Sequence, residues 1–65
     1  MKVSKEMMYF KCMAIEEMVK KLVLDGTTDN EKLVKAVDEM FPPETNEEME
    51  AYSEAIIYAK YSILN

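Results

Sequence analysis

The 65-residue chain contains no arginine, no histidine and no tryptophan, and only one cysteine and one glycine. Each absence removes a class of function. Without histidine, and with Cys12 as the sole thiol, neither the common zinc ligand sets nor an internal disulfide can be assembled. All eight basic residues are lysine, so the planar guanidinium fork favoured for phosphate clamps and base edges is missing, and direct DNA or RNA binding is not expected. No stretch approaches the ~20 apolar residues of a membrane span. Glu6 and Lys11 interrupt the N-terminal region before an apolar run long enough for a signal peptide, so the expected location is the cytoplasm, with no membrane partner.

Catalytic and cofactor chemistry are equally unsupported. Carboxylates without a histidine, an activated cysteine or a glycine-rich loop offer no recognisable reaction centre, so no catalytic residue, no metal and no cofactor is expected. The acidic segment Asp25-Gly26-Thr27-Thr28-Asp29-Asn30-Glu31 invites a calcium reading. An EF-hand loop needs twelve residues with glycine at the sixth, whereas Gly26 stands where a helix C-cap belongs. Cys12 lies within an apolar stripe and reads as a small core residue, not as a nucleophile.

What the chain does contain is helical periodicity. Met8, Cys12, Ile15, Val19 and Leu22 recur at intervals of four and three, flanked by Met7, Ala14, Met18 and Val23. This apolar arc covers about half of a helix circumference, wider than the ~100° needed to pack one face on a core. Ser4 is a plausible N-cap, Glu6 and Lys20/Lys21 suit the two ends of the helix dipole, and Glu16–Lys20 and Glu17–Lys21 are favourable i,i+4 pairs. A second amphipathic run carries Leu33, Val34, Val37, Met40 and Phe41 inward and is stopped by Pro42-Pro43. In a third, Met49, Tyr52, Ile56, Ala59 and Ile63 share a face with Ala55 beside them, small enough there to let helices approach closely. Thr28 with Glu31, and Thr45 with Glu48, have the T-x-x-E form of capping boxes opening the second and third helices.

The expectation is therefore a single all-α, three-helix domain over residues 1–65, with helices near 4–24, 29–41 and 46–64. Its core is expected from Ile15, Val19, Leu22, Leu33, Val37, Ile56, Ala59 and Ile63. A chain this short hides only about 60% of its unfolded surface. Phe10, Met13, Ile57 and Tyr61 fall outside the best core stripes and are assigned to self-association, with a two-fold homodimer as the simplest closure. Seven methionines in so small a chain suit either core filling or an adaptable surface.

The net charge of −5 is uneven. Residues 1–25 carry five lysines against four acids, and residues 26–65 carry three lysines against nine acids. Glu44, Glu47, Glu48, Glu50 and Glu54 form a run with no basic residue among them, followed by Tyr58 and Tyr61. These seven residues are the candidate partner-binding site, since acid speeds encounter with a basic protein surface and tyrosine supplies a desolvated anchor. In size and charge the chain resembles the short accessory proteins of bacteria and their phages that inhibit or recruit a larger protein. The resemblance carries no residue over. The expected function is a non-enzymatic inhibitor or adaptor that binds a protein with a basic surface. The alternative is a nucleic-acid mimic whose acids block the basic groove of a DNA- or RNA-binding protein.

Overall fold

A computed structural model describes residues 5–64, and the expected Ser4 cap lies outside them. Three helices form: α1 (Lys5–Leu24), α2 (Asn30–Met40) and α3 (Asn46–Leu64). The domain is all-α, and none of these helices is long and apolar enough to cross a membrane.

The turns between the helices are fixed by local chemistry. At the end of α1, the Gly26 N–H donates to the Val23 carbonyl at 3.0 Å and the Thr27 N–H to the Leu22 carbonyl at 2.8 Å. This Schellman pair requires a left-handed residue between them, and Gly26 supplies it with φ +100. Thr27 is consumed in that closure, so the second helix opens later than expected. Its N-cap is Asp29, whose Oδ1 accepts from the Glu31 N–H at 3.0 Å, and the expected Thr28–Glu31 capping box does not form. At the far end Pro42 holds Phe41 at φ −135, ψ 73, outside the helix, so α2 spans 30–40 in place of 29–41.

Direction follows from two contacts. Lys11 of α1 reaches Glu48 in the first turn of α3, while Lys60 near the end of α3 donates to Asn30, the residue that opens α2 after α1 has ended. Hence α1 and α3 run parallel and α2 returns antiparallel to both. The most extensive contact is between α1 and α3, and α2 packs lightly on each. The result is a rod of 38 × 18 × 15 Å.

Ile15, Val19, Leu33, Val37 and Ala59 are wholly inaccessible, joined in the core by Val23, Tyr52, Ala55 and Ile56. Leu22 and Ile63, expected in the core, are half-buried at its edge. On α2 the stripe is narrower than expected, because Val34 and Met40 are exposed and Phe41 only half-buried. Met49 is 54% exposed despite lying on the inner arc of α3. The eleven residues of α2 span only about 16 Å, about half the length of α1. Starting beside Lys60, α2 ends in the neighbourhood of Ala14, Met18 and Leu22 of α1. Of the methionines described, none is fully buried, and Met8 and Met18 pack half-buried against the edge of the core.

Two stability predictions follow from this packing. Ile56→Asp places an unpaired charge in a core whose whole contribution is ~3–5 kcal/mol, a cost of several kcal/mol that should abolish the cooperative melt, whereas Val34→Ala at the exposed α2 face should change stability by less than ~0.5 kcal/mol. No heavy atom would meet a Cβ at Gly26 within 4 Å. Gly26→Ala should therefore cost ~1–2 kcal/mol from backbone strain alone, read as a lowered denaturation midpoint with an unchanged slope.

Candidate functional site

Two acidic features must be separated. Glu48, included in the expected partner-binding run, is 1% exposed and belongs to the interior. As third residue of α3 it completes a capping arrangement: its N–H donates to Thr45 Oγ1 at 3.1 Å, and its Oε1 accepts from the Glu44 N–H at 2.9 Å. The carboxylate therefore reaches one residue further back than a capping box requires. Its Oε2 accepts from the Tyr52 hydroxyl at 3.2 Å and lies 3.9 Å from Lys11 Nζ. Both oxygens are engaged within the fold, and burial puts them out of reach of the solvent-facing ridge.

These contacts set its acidity. The Glu44 N–H, foremost, holds the Glu48 carboxyl below its ordinary 4.5, against the opposing effect of burial, with help from Tyr52 and Lys11. Burial, and then the negative charge of Glu48, push the Tyr52 phenol up to about 12. The Cys12 thiol is also raised, by burial first and then by Glu16 and Glu54. It is half-buried and held in its neutral form, the opposite of what a nucleophile needs. Among the described residues, no group of three or more His, Cys, Asp or Glu side chains converges as a metal site.

The other acids remain outside. Glu47, Glu50 and Glu54 occupy the solvent side of α3 at intervals of three and four, with Glu44 exposed in the preceding turn. The same side continues as Ile57, Tyr58, Tyr61 and Leu64, each half or more exposed, and Tyr58 reaches 65%. One ridge of one helix is thus acidic in its first half and apolar in its second. Lys60 reaches over its second half, with Nζ 5.8 Å from the Tyr61 ring centre while bonded to Asn30. Ile57, Tyr58, Tyr61 and Ser62 line a shallow open hollow there.

The residues expected to mediate self-association do not form one patch. Phe10 and Met13 project from α1 near the level of Glu48, and Ile57 and Tyr61 from α3 two to four turns further along the rod. Phe10 instead lines a second open hollow with Lys5, Glu6 and Tyr9. The inward turn of Glu48 has a signal in the sequence: Glu48, Tyr52, Ala55 and Ala59 continue one face at helical spacing, and the T-x-x-E pattern already binds that glutamate to the helix start.

The chain matches no protein-family profile, no curated protein and no solved structure at a significant level.

The displaced acidities of Glu48 and Tyr52 predict opposite pH limbs. Glu48 is more acidic folded than unfolded, so its contribution is complete above 4.5 and drains away as pH falls through that value and the lowered one. Tyr52 favours its neutral form in the fold, so its contribution is complete below 10 and lost as pH rises to about 12. Thermal melts across pH should show Glu48→Gln flattening the acid limb and Tyr52→Phe flattening the alkaline one.

Proposed function

We propose that this protein is a non-enzymatic inhibitor or adaptor that binds another protein, one with a basic surface, through the outer ridge of α3. The observation that carries the reading is the continuity of exposed Glu47, Glu50 and Glu54 with exposed Ile57, Tyr58 and Tyr61 along one helix. An acidic half raises the encounter rate with a basic surface. An adjacent aromatic half supplies desolvated contact that charges do not. The alternative of a nucleic-acid mimic uses only the first half of the ridge, which has lost Glu48 to the interior, and leaves the tyrosines without a role.

The division of labour is measurable. After a pull-down from the native host lysate has named a partner, surface-binding kinetics at low and physiological salt separate the two halves. Replacing Glu47, Glu50 and Glu54 by Gln should slow association and reduce its salt dependence, with dissociation little changed. Tyr58→Ala should speed dissociation and leave helix content intact. An association rate unaffected by the triple Gln variant at low salt would remove the acids from binding and leave them as helix-dipole partners. Sedimentation of the free chain at micromolar concentration tests the competing occupant: a dimer that dissociates on Ile57→Ser with Tyr61→Ser assigns the ridge to a second copy.

A further inference from the structure

The α1–α3 pair has two long sides. On one, Ala14, Met18 and Leu22 of α1 meet Met40 and Phe41 at the end of α2. The other carries none of the three helices. Its floor contains Cys12 of α1 and Ala51 of α3, each half-buried against the core. Glu16, one turn on from Cys12 along α1, and Glu54, three residues on from Ala51 along α3, border this side of the pair, and both help to raise the Cys12 thiol. Above this floor each helix presents a second seam at intervals of four and three. On α1 it is Tyr9, Met13, Glu16 and Lys20, and on α3 it is Glu47, Ala51, Glu54, Tyr58 and Tyr61. Two parallel helices with adjacent seams of this spacing form the slot that another helix fills in a four-helix bundle.

We propose that this trough seats a fourth helix supplied by the partner, which deepens, and rests on, the reading of the protein as a binder of basic proteins. The composition of the trough specifies its occupant. Three carboxylates, Glu16, Glu47 and Glu54, stand against one lysine, Lys20. Glu16 and Glu54 are central, and the apolar side chains lie towards the ends: Tyr9 and Met13 at one, Tyr58 and Tyr61 at the other. The complementary helix is amphipathic, with Lys or Arg in the middle of its docking face and apolar side chains one to two turns to either side. A second copy fits poorly. Either two-fold rotation that seats one trough on another brings Glu16 and Glu54 of both copies together at the centre, between chains that each carry −5.

Cys12 is the only thiol in the chain, so its alkylation by iodoacetamide reports cover over the trough. The probe is a synthetic helical peptide with lysines central and leucines flanking on one face, and the control carries Glu in place of Lys. The lysine peptide should bind saturably at low salt and slow Cys12 alkylation severalfold, and the glutamate peptide should do neither. Met13→Ala with Tyr9→Ala, both at exposed positions, should weaken the lysine peptide about tenfold with helix content unchanged. Absence of saturable binding, binding that leaves the alkylation rate unchanged, or concentration-dependent protection of Cys12 in the free chain accompanied by dimer sedimentation would each overturn the trough proposal. The native partner distinguishes it from the broader reading. Weakening by the α3 Gln variants but not by Glu16→Gln with Met13→Ala leaves the ridge in place and removes the trough, and indifference to both sets removes both.

Discussion

The close parallel pairing of α1 with α3 is the constraint on which the rest of the molecule depends. It is helped by Ala51, Ala55 and Ala59, which repeat at four-residue spacing along α3 with Ala55 and Ala59 buried, so that along this line α3 contributes only methyl groups to the contact. Ile15 and Val19 on α1 then fill the space with branched side chains that leave no accessible surface. Parallel neighbours cannot be joined by a short turn. The chain must travel back the length of the pair first, and α2 is that return, held by light packing and by the caps at its ends. Its shortness limits the cover it gives, and large apolar side chains such as Met40 and Met49 remain exposed.

The start of α3 is secured in a second way. Thr45 satisfies the Glu48 N–H in the first turn of the helix, and the Glu48 carboxylate in return accepts from the Glu44 N–H in the preceding turn. Turning the Glu48 carboxylate inward to meet Glu44 also places it under the Tyr52 hydroxyl. A charge that would be costly alone in the interior thus becomes fully hydrogen-bonded. It ties the connecting turn, the helix start and the inner face together, and the 3.9 Å contact with half-exposed Lys11 adds little to that.

With one carboxylate committed to structure, the remaining surface divides cleanly along the rod. The acids of α3 lie at the end where α1 presents Tyr9, Phe10 and Met13, and the tyrosines of α3 lie at the end where α1 presents Lys20 and Lys21. Charge and apolar area are therefore interleaved between the helices and not gathered into one patch. Such a surface suits a partner element long enough to cross both regions. A helix meets that requirement at 1.5 Å per residue with four to five turns.

The helices and most of their ends follow from local residue chemistry. Capping and breaking are local: Gly26 has no Cβ to oppose a positive φ, Pro42 restricts the residue before it, and Thr45 reaches a backbone N–H three residues on. The same locality explains the one misplaced start, since Thr28 and Asp29 are both capable caps and only the Schellman closure through Thr27 settles which one is free to act. Ile15, Val19, Leu33, Val37, Ile56 and Ala59 were legible as core because they lie at the centre of their stripes, where any neighbour would bury them. Tertiary structure decided the edges. Whether Leu22, Met49 or Val34 is covered depends on how far a neighbouring helix extends, a length in space that periodicity does not encode. It also decided that Glu48 is a buried structural charge while Glu47 and Glu50, its near neighbours in the chain, face water. A 100° step per residue separates them around the helix, and only the position of α1 says which direction is inside.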